Sequence, residues 1–146
     1  MEQLLKEAKE LAEGGVKELI LVAQETTVYG QDIYGEKSLH RLLRELCKID
    51  GIQWIRLLYC YPEEIDANLI QVMKEEPKIC HYLDLPIQHA SDAILKKMGR
   101  RTSKAQLVDT IRTLREEIPD ITLRTTLITG FPGETEEQHQ ELVEFV

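Results

Sequence analysis

The residues able to do chemistry fall in four short stretches, each dense in polar and turn-forming types. They are Gln24-Glu-Thr-Thr-Val-Tyr-Gly30, Cys60-Tyr-Pro-Glu-Glu64, Pro86-Ile-Gln-His-Ala-Ser-Asp92 and Gly130-Phe-Pro-Gly-Glu-Thr135. Gln24 and Glu25 supply acceptor oxygens suited to the ammonium group of a small ligand, or they belong to a solvated loop of turn formers. Tyr29 and Tyr34 beside glycines read as packing lids. Gln88, His89, Ser91 and Asp92 crowd one turn. His89 fits a general base beside a carboxylate, or an ordinary loop side chain next to a helix capped by Ser91 or Asp92. The reading preferred here makes Gln88 and Ser91 hydrogen-bonding groups for a bound sugar or amino acid.

Arg124, Thr126 and Ile128 alternate, so they share one face if the segment is a strand. An arginine in an aliphatic strand needs a partner, which is either a ligand carboxylate or Asp84. Gly130 and Gly133 permit close backbone approach to a ligand, and Phe131 with Pro132 offers a flat apolar wall suited to a base such as adenine. Cys47, Cys60 and Cys80 stand 13 and 20 residues apart. That spacing fits neither a disulfide framework nor a zinc site, so they read as reduced thiols and small apolar fillers.

The elements that must position these groups are legible from periodicity. Leu4, Leu5, Ala8, Leu11 and Ala12 make one helical face stopped at Gly14-Gly15, and the continuously aliphatic Val16–Ala23 follows as a strand buried on both faces. Leu39, Leu42, Leu43, Leu46 and Ile49 stripe a helix behind a Ser38 cap, before a strand over Ile52–Tyr59. A helix near Asp66–Glu75 leads into the strand Tyr82–Leu85. A short helix over Ser91–Met98 comes next, then a longer one with Leu107, Val108, Ile111, Leu114 and Ile118 inward. Ile121–Ile128 is a fourth strand, and Thr135 with Gln138 forms a capping box for a last helix carrying Leu142, Val143 and Val146. Four strands alternating with helices predict an α/β fold with a parallel sheet, doubly wound or part of a β/α (TIM-like) barrel. In such folds ligands sit beyond the carboxyl ends of the strands, where all four polar stretches lie. No linker or repeat divides the chain, and it reads as one incomplete domain, opening on a helix with no preceding strand and ending inside another.

At 146 residues, 42% hydrophobic and 30% charged, the chain has the composition of a globular domain. No apolar run approaches the roughly 20 residues of a membrane span, and no signal peptide is apparent, so the expected setting is cytoplasmic. Twenty-six acidic against eighteen basic residues give a formal charge of -8. That sign disfavours direct nucleic-acid binding and suits a basic protein partner.

Taken together, four segments resemble the radical S-adenosylmethionine methylthiotransferases of the RimO type. They are Ala23-Gln-Glu-Thr-Thr-Val-Tyr-Gly-Gln-Asp-Ile-Tyr-Gly35, Trp54-Ile-Arg-Leu-Leu-Tyr-Cys-Tyr-Pro62, Tyr82-Leu-Asp-Leu-Pro-Ile-Gln-His-Ala-Ser-Asp92 and Leu123-Arg-Thr-Thr-Leu-Ile-Thr-Gly-Phe-Pro-Gly-Glu-Thr135. The tRNA-modifying sister family typically has Gly-Gln-Asn-Val-Asn-Ser-Tyr-Gly in the first loop and Ser-His-Pro after the next strand, where this chain differs.

The resemblance implies a partial β/α barrel from an enzyme that methylthiolates the β-carbon of an aspartate in small-subunit ribosomal protein twelve. It implies S-adenosylmethionine and two 4Fe-4S clusters as cofactors, with a deoxyadenosyl radical abstracting hydrogen from the target carbon. It places Gln24 and Glu25 at the methionine amino group, and Gln88 and Ser91 at the ribose or amino acid. Arg124 and Thr126 fall at the carboxylate, with Gly130, Phe131 and Pro132 bordering adenine. The family's Gly-x-Ile-x-Gly-x-x-Glu pattern is imperfect, with Thr126 at its first glycine and Gly133 at its glutamate.

The radical cluster requires a Cys-x-x-x-Cys-x-x-Cys triplet, which this sequence lacks. The expectation is therefore an inactive piece with no catalytic or metal-binding residues and no cofactor bound. The cluster loop and an N-terminal domain would lie before it, and the rest of the barrel with a small β domain after it. Exposed sheet edges would invite self-association. Two alternatives stay open: a tRNA methylthiotransferase of the sister family and a non-enzymatic α/β binding module.

Overall fold

The computed structural model describes all residues from Met1 to Val146. Helix α1 (Glu2–Glu13) leads to β1 (Glu18–Leu21), a single turn α2 (Gln31–Tyr34) and α3 (Leu39–Cys47). Then come β2 (Trp54–Leu57), a 3-10 turn over Pro62–Glu64, α4 (Ala67–Glu75) and β3 (Ile79–Asp84). The chain continues through α5 (Asp92–Lys97), α6 (Lys104–Glu117), β4 (Thr122–Arg124) and α7 (Glu136–Phe145). The strands are parallel in the order β1-β2-β3-β4. Sequential parallel order with helical crossovers is what a barrel wall requires.

One face of the sheet makes the core. Leu19, Ile55, Leu57, Ile79, Leu83 and Leu85 are buried with Leu42, Leu43 and Leu46 of α3, Val72 and Met73 of α4, and Leu114 of α6. Alternation sends the intervening residues to the other face, and that face is polar and open. Glu18 pairs with Arg56 at 2.6 Å, Arg56 lies 4.8 Å from the Tyr82 ring centre, and Asp84 meets Arg124. Ile20, Val22 and Trp54 on it are more than half exposed. β1 is therefore buried on one face rather than two, because an aliphatic run cannot tell a core face from the concave face of an open wall.

Element ends also differ from the periodic reading. The first, second and fourth strands contract to their hydrogen-bonded centres, and β3 begins earlier, at Ile79. Ser38 occupies the N-cap of α3, but its hydroxyl donates to the Glu36 carbonyl and makes no cap bond. Asp66 and Ser103 cap α4 and α6, and the capping box at Thr135 and Gln138 is formed. Leu4, Leu11, Val108, Val143 and Val146 stand exposed instead of facing inward.

Candidate functional site

Each polar stretch follows the carboxyl end of a strand, and hydrogen bonds stitch the four together in chain order. The Thr26 amide donates to the Tyr59 carbonyl at 3.0 Å and the Thr26 hydroxyl to the Leu58 carbonyl at 2.6 Å. One Glu25 oxygen accepts from the Thr27 amide and hydroxyl, and the other from the Tyr61 amide at 2.9 Å. The first loop is thus tied to the second. The Cys60 amide donates to the Asp84 carbonyl, and the Arg100 guanidinium lies over the Tyr61 ring while donating to the Pro86 carbonyl. Beyond β3 the pairing continues past the regular ladder, with the Gln88 amide donating to the Thr126 carbonyl and the Ile128 amide to the Gln88 carbonyl.

The third and fourth loops meet through a buried carboxylate. His89 and the Glu134 side chain are almost wholly excluded from solvent, with His89 Nε2 3.3 Å from Glu134 Oε1. The Ser91 amide donates to His89 Nδ1 at 2.9 Å, which assigns the ring proton to Nε2 and makes it the donor to Glu134. His139 Nδ1 reaches the same oxygen at 3.3 Å, and the Phe131 amide donates to the other at 2.8 Å. That backbone bond, foremost, holds the Glu134 carboxyl below the usual carboxylate range. Both nitrogens of His89 are engaged in structure, so it is an organiser of the loops and not a free general base.

The remaining candidates distribute as follows. Gln24 is exposed, Gln88 half-buried and Ser91 buried at the N-cap of α5 without a side-chain cap bond. Asp92 does not cap α5; its carboxylate accepts from the Lys104 amide. Arg124 finds its partner in Asp84 at 2.8 Å, yet its own side chain stays 58% exposed and free to meet a ligand as well. Thr126, Gly130 and Pro132 are exposed and Phe131 half-buried. Gly130 and Gly133 are left-handed, and a Cβ on Gly133 would stand 2.9 Å from Lys97 Nζ. The close approach seen at Gly133 is that of Lys97, which donates to its carbonyl.

Two features had no signal in the sequence. Tyr59, two residues past β2, and Gln88, in the bridge to Leu127 beyond β3, are left-handed without being glycine, a costly conformation that clusters at functional sites. Glu134 and His139 gave no sign of being drawn to His89. One hollow lies against α1 and α3, and another between α6, β4 and α7 reaches the end of β4, where Arg124 lines it. The four loops form an open rim.

Burial is the largest influence on Glu25, raising its carboxyl above 4.5 against the lowering effect of its hydrogen bonds to Thr27 and Tyr61. The folded state therefore binds this proton more tightly than the unfolded chain. The resulting stabilisation is full below 4.5 and is lost as pH rises through the raised folded value. Glu25→Gln is expected to remove that part of the decline in melting temperature on going from acid toward neutral pH, as read by thermal scans at several pH values.

Residues 1–146 match the family model described as the radical SAM superfamily. The chain belongs to that superfamily. Among curated relatives it is 71% identical over 146 residues to the ribosomal protein uS12 methylthiotransferase RimO of Lachnoclostridium phytofermentans. It is 60% identical over 145 residues to that of Clostridium botulinum and 58% over 146 to that of Clostridium perfringens. These alignments cover 99–100% of this chain and 33% of each relative, so the chain spans about a third of their length.

Two solved structures share the fold. The cobalamin-dependent S-adenosylmethionine radical enzyme OxsB aligns with a TM-score of 0.72 at 13% identity, covering 99% of this chain and 22% of that one. The radical S-adenosylmethionine methyltransferase TsrM from Kitasatospora setae aligns at 0.69 and 21%, covering 96% and 27%. The architecture is a partial TIM-like barrel.

The rim suits the S-adenosylmethionine that the family name implies. Glu25 has no cationic partner and Arg124 presents an accessible guanidinium, so the rim carries both kinds of charge that the ammonium and carboxylate of such a ligand would require. An iron-sulfur cluster does not fit the cysteines of this chain. They are scattered and free, and burial first of all pushes the Cys47 thiol to about 11 and the Cys60 thiol to about 12. Thiols held protonated are poor iron ligands. No group of three or more His, Cys, Asp or Glu side chains is arranged to hold a metal ion, and no helix is long and apolar enough to cross a membrane.

Proposed function

We propose that this chain is the cofactor-binding wall of a radical S-adenosylmethionine methylthiotransferase acting on an aspartate β-carbon of ribosomal protein uS12. The carrying observation is the 71% identity to a uS12 methylthiotransferase over every residue of the chain. The acidic balance, with a formal charge of -8, supports a basic protein partner. A cytoplasmic setting follows from that partner. The cluster loop, the remaining barrel strands and the flanking domains belong to the other two thirds of such a protein, and the open edges of β1 and β4 are where further strands pair.

In this reading the cofactor, once reduced at its cluster, supplies the radical chemistry, and the residues of this chain bind and orient it. Gln24 and Glu25 accept from the methionine ammonium. Arg124 and Thr126 meet its carboxylate, with Asp84 fixing the guanidinium from behind. Gln88 and Ser91 lie on the ribose side. Gly130, Phe131 and Pro132 form the adenine-side wall, its turn held by Glu134.

The test incubates the full-length protein anaerobically with S-adenosylmethionine, a reductant, a sulfur source and either uS12 or tRNA, and measures product masses. A methylthio group on a uS12 aspartate, and none on tRNA, is the expected result. Modification of tRNA alone would overturn the substrate assignment in favour of the sister family.

A further inference from the structure

Two strand residues of the concave face are arginines, and the cofactor reading uses only one of them. Register sets them in separate layers. Asp84 lies opposite Arg124 near the carboxyl ends of the strands, and Tyr82 lies opposite Thr122 beneath them. Arg56 is opposite Ile20 on β1 and packs on the Tyr82 ring, so it belongs to the deeper layer, two residues and roughly 6.6 Å below Arg124.

Two contacts fix the Arg56 guanidinium and define what it leaves free. Its Nε donates to Glu18 Oε1 at 2.6 Å, and its central carbon lies 4.8 Å from the Tyr82 ring centre. Nη1 and Nη2 have no acceptor. The side chain is 33% exposed, so this fork opens onto the concave face and is not closed within the core. The ladder also slips here: Ile55 is opposite Ile79 and Leu57 opposite Leu83, so two steps along β2 match four along β3. Irregularities of this kind re-aim side chains and are frequent beside active sites.

A planar fork of N–H groups, stacked on a ring and steadied by a carboxylate at its other edge, matches the geometry of a second carboxylate. The proposed substrate carries one. In an aspartate side chain the carboxylate is bonded directly to the β-carbon, so the cation that holds it stands next to the carbon that reacts. Arg124 is paired with Asp84 and assigned to the cofactor carboxylate, which leaves Arg56 as the cation of this face for the substrate. Its deeper layer keeps the two bound anions apart.

We infer that Arg56 is a specificity-determining residue whose Nη1 and Nη2 take the side-chain carboxylate of the target aspartate. This rests on the function proposed above. Glu18 and Tyr82 are positioning residues that fix the plane of the guanidinium.

The experiment measures methylthiolation by the full-length cluster-loaded protein on uS12 and on uS12 with asparagine in place of the target aspartate, together with equilibrium binding of S-adenosylmethionine. The unsubstituted protein is expected to favour the aspartate substrate by about 30-fold or more in kcat/KM, the scale of a desolvated charge pair. Arg56→Gln is expected to lose about 30-fold or more on the aspartate substrate, to narrow the preference to within about 3-fold, and to leave S-adenosylmethionine binding within about 2-fold. Arg56→Lys keeps the charge facing Glu18 but not the fork, and it falls between the two. If Arg56→Gln does not fold, Arg56→Lys carries the same comparison. No preference in the unsubstituted protein, equal losses on both substrates, or weakened cofactor binding overturns the inference and leaves the proposed function standing. Failure of the unsubstituted protein to modify uS12 overturns the proposed function and this inference with it.

Discussion

If the proposed function holds, replacing Glu134 with alanine in the full-length protein is expected to lower methylthio transfer by about 100-fold, the scale of effect when reacting groups are misplaced by about 1 Å. The reason is the number of donors that converge on one carboxylate. Phe131 N–H, His89 Nε2–H and His139 all point at it from three different segments. With the carboxylate gone, the buried His89 N–H has no acceptor, and the Gly130–Glu134 turn loses the bond that sets its shape. In the proposed reading this loosens the adenine-side wall. Glu134→Gln retains an acceptor for Phe131 but turns an amide N–H₂ toward His89 or His139, so it falls between alanine and the native residue. Hydrogen exchange provides the structural check: amides of residues 129–135 exchange faster in Glu134→Ala, while those of β2 and β3 do not.

The second large effect is on stability. Leu83 is fully buried in β3, in register with Leu57 on one side and Leu123 on the other, within a core of twenty buried residues. Leu83→Ala leaves a cavity that the paired strands cannot close, and it is expected to cost about 2–5 kcal/mol. Native-state hydrogen exchange of the β2 and β3 amides measures this loss. A change below about 1 kcal/mol would mean the sheet face is not packed as described.

What could be read beforehand followed from periodicity. Alternating aliphatic runs and helical stripes gave four strands and a parallel sheet. The stripe Leu39, Leu42, Leu43 and Leu46 is buried as spaced, and the Thr135–Gln138 capping box formed as written. Failures came where two different surroundings demand the same residue types. Ile20 and Val22 resemble core residues but line the open concave face. That Asp84 partners Arg124 became visible only in three-dimensional register, which sets the two opposite each other at 2.8 Å. His89 and Glu134 are 45 residues apart, and no local pattern announces that they meet. The left-handed turn at Tyr59 is likewise imposed by neighbours and not by its own residue type.

The most direct test of the account is hydrogen exchange across this chain within the full-length protein, with and without S-adenosylmethionine. Protection on cofactor addition is expected in residues 24–30, 86–92 and 130–135 together, with α1 and the outer face of α6 unchanged. Protection confined to segments outside residues 1–146, or no difference at the rim, would contradict the claim that this wall holds the cofactor.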